Sequence, residues 1–230
     1  MKTILILHGW GSCAKNWNPV KELLKEQGYK IFIPDLPGFG ENSPPPQVWS
    51  IDDYVEWVKN YCEKNNLSLF FLLGHSFGGS VAVKFAIKYP EKIQKLFLVN
   101  CAGIRKKSLK KEIIKKIANF FKKFDFLPFF DFFRKVFYRF IKSDCLYTKG
   151  IMREIYLKIL KEDISNDFSK ISVPTVLIWG KKDNLTPLKD AHYIKGQISG
   201  VKLEILPGIY HNPHRENPKA LICIILNYLK

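Results

Sequence analysis

Apolar runs of strand length recur along the chain, and segments of helix length separate them. The runs cover residues 3–9, 29–35, 67–74, 95–103, 174–180 and 201–208. They alternate only weakly between apolar and polar residues, which is typical of strands buried on both faces of a parallel sheet. The helix-length segments cover residues 15–27, 51–66, 78–89, 188–198 and 217–229. This order predicts an α/β fold with a six-stranded, mostly parallel sheet and helices on both of its faces.

The alternation of strands and helices is interrupted once, between residues 104 and 170. Residues 108–124 carry apolar side chains three or four positions apart with lysines on the other face, which predicts an amphipathic helix. Two further helical stretches follow at residues 129–141 and 150–161. We interpret residues 104–170 as a helical cap insertion over the ends of the strands. Residues 1–103 and 171–230 then form the core of the protein.

Composition excludes two classes of protein and indicates a compartment. The chain has 230 residues, 47% of them hydrophobic and 14% aromatic, which excludes a disordered chain. No apolar stretch approaches the roughly 18 residues of a membrane-spanning helix. The five cysteines are widely spaced and form no C-x-x-C pair, so we expect neither a disulfide framework nor a zinc site. A reducing, cytoplasmic location is therefore expected.

Positive charge is concentrated in the predicted insertion. The chain carries a formal charge of +16, and residues 104–170 hold 18 Lys and Arg against 8 Asp and Glu, a net +10. A basic face can attract an anionic carrier protein, a lipid surface or a nucleic acid. We expect no nucleic-acid partner. The partner that we expect at the basic cap is an anionic carrier protein or a lipid surface. A bias of the whole composition towards lysine is an alternative explanation.

A serine stands in a glycine-rich turn between a predicted strand and a predicted helix. Residues 74–78 read Gly-His-Ser-Phe-Gly, which matches the G-x-S-x-G pattern of a nucleophile elbow. Small residues on both sides of Ser76 permit a tight turn, and the helix N-terminus favours developing negative charge there. A plain strand-to-helix turn with a capping serine would have the same residues. Ser76 is therefore a candidate nucleophile that needs a base and an acid.

Two downstream residues follow strands in the order that this pattern requires. Asp183 follows the fifth predicted strand and His211 follows the sixth, both at carboxyl ends, where open α/β sheets place ligand groups. Asp183 is the candidate acid and His211 the candidate base, although an aspartate in such a turn is often only solvated. His214 competes for the role of base. We expect no metal at the histidine pair, because no cysteine or carboxylate cluster accompanies it.

The attack of a serine on a carbonyl also needs hydrogen-bond donors for the oxyanion. The sequence His-Gly-Trp-Gly at residues 8–11 ends the first predicted strand. Its turn can direct the backbone N–H of Trp10 towards the same point as the N–H of Phe77, the residue after the serine. Trp10 and Phe77 are therefore the candidate oxyanion donors. An ordinary glycine-containing turn would also explain residues 8–11.

Five motifs of the chain together resemble the α/β-hydrolase superfamily. They are His-Gly-Trp-Gly and the stretches at residues 35–40, 74–79, 179–187 and 211–218. The first two are similar to carboxylesterases such as the pimeloyl-carrier-protein methyl ester esterase. In the family pattern the first histidine of the C-terminal motif, matching His211, is the base. Residue 210 is usually Gly in the family and is Tyr here, and we expect the antiparallel hairpin that commonly precedes the first motif in the family to be absent.

The resemblance and the residues together predict a serine carboxylesterase that cleaves small carboxylic esters without a cofactor or a metal. An acyl-enzyme would form on Ser76, and a water activated by His211 would release the acyl group. Phenylalanines of the insertion are the candidates for an apolar substrate pocket, namely Phe120, Phe121, Phe124, Phe133 and Phe137. One alternative is a carbon–carbon bond hydrolase with the same triad. Another is a non-enzymatic protein that binds polyanions or nucleic acids on a hydrolase fold.

Overall fold

The computed structural model describes residues 2–105 and 150–229. In these ranges the sheet has six strands in the order β2-β1-β3-β4-β5-β6, and each neighbouring pair is parallel. The strands are β1 (Thr3–Leu7), β2 (Lys30–Phe32), β3 (Phe70–His75), β4 (Ile93–Val99), β5 (Thr175–Gly180) and β6 (Lys202–Leu206). The predicted α/β fold with six parallel strands is confirmed.

Helices connect the strands and cover both faces of the sheet. They are α1 (Asn18–Glu26), α2 (Ile51–Lys64), α3 (Phe77–Lys88), α4 (Gly150–Ile159), α5 (Leu188–Gln197), α6 (Pro213–Glu216) and α7 (Pro218–Tyr228). Short 3-10 turns lie at Ala14–Trp17, Pro90–Lys92 and Phe168–Lys170. Within the described ranges, no helix has both the length and the apolarity needed to cross a membrane.

The sheet separates two hydrophobic clusters, because successive side chains of a strand point to opposite faces. Leu5 and Leu7 of β1 pack with α2, α3, α4 and α5 on one face. Ile4 and Ile6 of the same strand pack with α1 and α7 on the other face. Apolar side chains on both faces of each central strand explain why their sequences show no clean polar alternation.

The strand order creates a switch point between β1 and β3. The chain leaves β1 towards β2 on one side and later places β3 on the other side of β1. Connections on the two sides diverge there, which opens a crevice beyond the carboxyl ends of the strands. His-Gly-Trp-Gly follows β1 and Ser76 follows β3, so both motifs lie at this crevice.

The last part of the predicted insertion packs against the core. Ile155 and Ile159 of α4 and the nearby Ile164 are buried in the same cluster as α2 and α3. The backbone N–H of Ile164 donates to the carbonyl of Gly103 at 3.0 Å. The division into a cap at 104–170 and a core stays a prediction, because residues 106–149 lie outside the described ranges.

Several predictions fall in those residues and lie outside the description of the structure. They are the amphipathic helices before residue 142, most of the basic charge of the cap, and the pocket residues Phe120, Phe121, Phe124, Phe133 and Phe137.

Candidate active site

Ser76 stands at a sharp turn between β3 and α3. Its φ is 51°, in the left-handed region, so the turn is strained at this residue. Neighbouring glycines let the chain approach itself: a Cβ on Gly78 would lie 2.2 Å from the carbonyl oxygen of Leu7, and one on Gly74 would lie 2.5 Å from that of Gly78. The turn packs so tightly against β1 that only glycine fits at residue 78. A tight turn with positive φ thus surrounds Ser76.

The side chains of Ser76, His211 and Asp183 lie next to each other. The Oγ of Ser76 is 2.9 Å from Nε2 of His211, and Nδ1 of His211 is 2.7 Å from Oδ2 of Asp183. These distances allow Nδ1–H to donate to the carboxylate while Nε2 accepts from the serine hydroxyl. The His211 side chain is 13% exposed, whereas that of Asp183 is fully buried. Solvent and substrate can therefore reach the serine end of the chain of hydrogen bonds but not the acid end.

Hydrogen bonds keep the buried Asp183 carboxyl ionised. Thr186 donates twice, from its backbone N–H to Oδ1 at 3.0 Å and from its hydroxyl to Oδ2 at 2.6 Å. Oδ2 also accepts from Nδ2 of Asn100. Burial alone would raise the pKa of the Asp183 carboxyl, but these bonds and the adjacent imidazole outweigh burial and lower that pKa to about 2. A negative charge therefore faces Nδ1 of His211 at neutral pH.

The predicted oxyanion donors lie at the carboxyl ends of neighbouring strands. Phe77 is the first residue of α3 and Trp10 follows β1, which pairs with β3. Among the described residues, neither backbone N–H donates to another group of the protein. Their rings contact each other with centroids 5.4 Å apart, and Tyr156 of α4 packs on Trp10 at 5.0 Å. The positive end of the α3 dipole adds to the attraction for an anion at this point.

The other histidines of the chain differ from His211 in their surroundings. His75 and His214 are buried in contact, with ring centroids 4.8 Å apart. His75 donates from Nε2 to the backbone carbonyl of His211 at 2.8 Å. His214 stacks on Trp17 at 4.2 Å and forms no hydrogen bond with the described residues. Burial lowers the pKa of both rings, that of His75 to well below its usual range and that of His214 to about 3, so both are neutral.

His8 is also buried, and His192 is exposed. Nε2 of His8 accepts from the backbone N–H of Leu36 at 2.9 Å, and its Nδ1 donates to the carbonyl of Gly9 at 2.8 Å. Within residues 2–105 and 150–229, no group of three or more His, Cys, Asp or Glu side chains is arranged to hold a metal ion. His211 is hydrogen-bonded to Ser76 and Asp183, whereas His214 stacks on Trp17.

Sequence reasoning missed the side chains that hold the loop of His211. Glu216 accepts from the backbone N–H of Tyr210 at 2.7 Å and from that of Asn212 at 2.9 Å, one on each side of the histidine. Tyr210 does not have positive φ and its side chain is 50% exposed, so the turn needs no glycine there. Glu216 is visible in the motif at residues 211–218. Thr186 lies three residues after Asp183, within reach of a turn hydrogen bond.

Comparison with known proteins identifies the family of this chain. The family model described as "alpha/beta hydrolase fold" matches residues 2–116. The chain is 29% identical to a pimeloyl-[acyl-carrier protein] methyl ester esterase of Wigglesworthia glossinidia brevipalpis, over 98% of this chain and 92% of that protein. It is 26% identical to Lipase 1 of Psychrobacter immobilis, over 91% and 71% of the two chains.

Solved structures show the same fold. A thermophilic esterase from Thermogutta terrifontis superposes on this chain with a TM-score of 0.75 at 21% identity, covering 100% of this chain and 89% of the esterase. The matched model covers half of the chain, including β1, β3 and the serine turn. This protein belongs to the alpha/beta hydrolase fold family.

Proposed function

We propose that this protein is a serine hydrolase of carboxylic esters, with Ser76 as nucleophile, His211 as base and Asp183 as acid. The observation that carries the proposal is the continuous chain of hydrogen bonds from Oγ of Ser76 through His211 to a buried, ionised Asp183. A serine hydroxyl becomes an effective nucleophile when a base accepts its proton and a carboxylate orients that base.

In the first half of the reaction, Oγ of Ser76 attacks the ester carbonyl carbon. Its proton passes to Nε2 of His211, which lies 2.9 Å away. The carbonyl oxygen becomes an oxyanion, and the backbone N–H groups of Trp10 and Phe77 donate to it. The imidazolium that forms is stabilised by the Asp183 carboxylate at 2.7 Å. When the intermediate collapses, the bond between the carbonyl carbon and the alkoxide breaks and Nε2–H gives its proton to the alkoxide. The alcohol leaves, and the acyl group remains bound to Oγ of Ser76 as the acyl-enzyme.

In the second half, water takes the place of the alcohol. His211 accepts a proton from the water as it attacks the acyl carbon, and the same two N–H groups stabilise the second oxyanion. Return of the proton to Oγ of Ser76 releases the carboxylic acid. The base must be neutral at the start of each half of the reaction, because it accepts a proton there.

Relatives support an ester as the substrate class. Two proteins that resemble this chain over most of its length are named as a lipase and as a methyl ester esterase. The rings of Phe39 and Tyr156 contact the ring of Trp10, beside the oxyanion donors. An apolar environment of this kind fits an acyl chain better than a charged group.

The test is a series of nitrophenyl esters of increasing acyl length, assayed with the wild-type protein and with Ser76→Ala. We expect hydrolysis by the wild type and a loss of at least about 1,000-fold in kcat for the variant, because Ser76→Ala removes the nucleophile. The variant's unfolding transition serves as the folding control. Hydrolysis that persists in Ser76→Ala would refute the proposed nucleophile. Failure on every ester would direct the search to carbon–carbon substrates.

A further inference from the structure

Asn100, the residue after β4, places its side chain against the acid of the site. It is fully buried. Its Nδ2 donates to Oδ2 of Asp183, the same oxygen that accepts from Nδ1 of His211 at 2.7 Å. One carboxylate oxygen therefore receives hydrogen bonds from both the amide and the imidazole.

The direction of the amide is defined by its other contacts. The backbone N–H of Gly180 donates to Oδ1 of Asn100 at 3.3 Å, which identifies the oxygen end of the side chain. Nδ2 then faces Asp183 and the carbonyl of Tyr210, 3.3 Å away. The side chain thus connects the end of β5, the acid and the residue before the base.

The backbone of Asn100 has a conformation that few residues tolerate. Its φ is 45°, in the left-handed region, where Asn is among the best-tolerated residues besides Gly. Its backbone N–H donates to the carbonyl of Ile178 at 3.0 Å. Asn66 has a similar φ of 54° in an exposed turn before β3, at the opposite end of that strand from Ser76. Asn66 therefore provides a matched control for substitutions of Asn100.

We propose that Asn100 is a positioning residue for ester hydrolysis, whose amide holds the Asp183 carboxylate in the orientation that accepts from His211. This inference rests on the proposed function. A neutral amide is suited to this task because it donates a hydrogen bond without bringing a second negative charge into the buried site.

The titratable groups that face the amide are Asp183, from the loop after β5, and His211, from the loop after β6. His75, at the end of β3, has its ring 5.1 Å from that of His211 and stays neutral because it is buried. Gly180 and Tyr210 contact the amide through uncharged backbone groups. A new carboxyl at residue 100 would therefore couple chiefly to Asp183 and His211.

The decisive variant is Asn100→Asp, which keeps the shape of the side chain and tolerates the left-handed backbone. At low pH the protonated carboxyl donates to Asp183 as the amide does. When it ionises, the two carboxylates repel each other and Asp183 turns away from the imidazole. We expect the ratio of kcat/KM between Asn100→Asp and wild type to fall about tenfold or more from pH 5 to pH 9.

Two further variants separate positioning from folding. Asn100→Gly removes the donor and accepts the same φ, so kcat/KM should fall about 10- to 100-fold at every pH. Asn66→Asp makes the same chemical change in a similar backbone conformation, and its ratio to wild type should stay near 1. A ratio for Asn100→Asp that is flat or rises with pH overturns the proposal. If Asn100→Asp does not fold, the proposal is tested with Asn100→Gly alone. A kcat/KM of Asn100→Gly within twofold of the wild-type value then overturns the proposal.

A measurement without substrate keeps the two proposals distinguishable. Carboxyl carbon NMR follows the titration of Asp183 in the wild type and in Asn100→Gly. The pKa of Asp183, lowered to about 2 in the wild type, should rise towards its usual 3.8 when the amide is removed. An unchanged titration counts against Asn100 even if ester hydrolysis is present. If the titration of Asp183 shifts but no ester is hydrolysed, the result counts against the proposed function and not against the role of Asn100.

Discussion

Replacing His75 by Phe removes a hydrogen bond that supports the base without touching the reacting atoms. Nε2 of His75 donates to the backbone carbonyl of His211 at 2.8 Å. The ring is 2% exposed, so water has little access to that carbonyl once the donor is lost. Phe places a flat ring, slightly larger than the imidazole, in the same space and has no donor. The substitution therefore isolates the hydrogen bond from the packing.

The expected size of the effect comes from the cost of a buried carbonyl without a partner. Such a group costs about 1–3 kcal/mol, and the unfolding free energy of His75→Phe should fall by that amount. The loop can regain a partner by shifting, which moves Nε2 of His211 from its position 2.9 Å from Ser76 Oγ. We expect kcat/KM to fall about tenfold, equivalent to about 1.4 kcal/mol in the transition state. KM should change little, because His75 does not face the substrate.

The assay combines nitrophenyl ester kinetics with urea unfolding. His75→Gln keeps an amide donor near the position of Nε2 and should recover most of the lost kcat. His214→Phe is the matched control, since His214 is equally buried and stacks on Trp17 but gives the loop no hydrogen bond. His214→Phe should keep kcat/KM within about twofold of wild type. The reasoning fails if His75→Phe is as active as wild type, or if both histidine variants lose activity equally.

Three further outcomes are expected. Ser76→Ala and His211→Ala should each abolish most ester hydrolysis and the double variant should lose little more, because the pair acts as a unit; additive kinetic losses would contradict this. The pKa of Asp183 is lowered to about 2, so its ionised carboxylate should contribute about 2 kcal/mol to the unfolding free energy above pH 4. This contribution should be lost as pH falls through 2. Urea unfolding of Asp183→Asn should lack this pH dependence. Gly78→Ala should lower the unfolding free energy by about 1–3 kcal/mol, since its Cβ would meet the carbonyl of Leu7 at 2.2 Å; an unchanged melting curve would contradict this.

Strands and helices of the core could be predicted closely from the hydrophobic pattern. The segment predicted as a helix at 78–89 forms Phe77–Lys88, and the run at 174–180 forms Thr175–Gly180. The strand predicted at 29–35 is shorter, Lys30–Phe32, because it is an edge strand with one neighbour, and its last residues leave the sheet. Local periodicity reports burial rather than strand pairing, and Pro34 and Leu36 are buried although they follow the last paired residue, Phe32.

The placement of the candidate residues at strand ends could also be predicted from the sequence, because turn residues and strand ends are recognisable from local patterns. Ser76, Asp183 and His211 each follow a strand, and parallel strands bring their carboxyl ends to one edge. What sequence could not supply was the set of groups that contact them. Asn100 lies 83 positions from Asp183, and no periodicity or spacing relates the two residues.

Sequence alone determined which residue types could carry the chemistry and at which edge of the sheet they would meet, because both depend on local patterns. Tertiary structure decided which histidine faces Ser76. His211 and His214 are three residues apart and chemically identical, but the turn into α6 directs one ring to Ser76 and stacks the other on Trp17. It also decided that Asp183 is ionised, since burial and hydrogen bonds act in opposite directions on its pKa and only their geometry sets the balance.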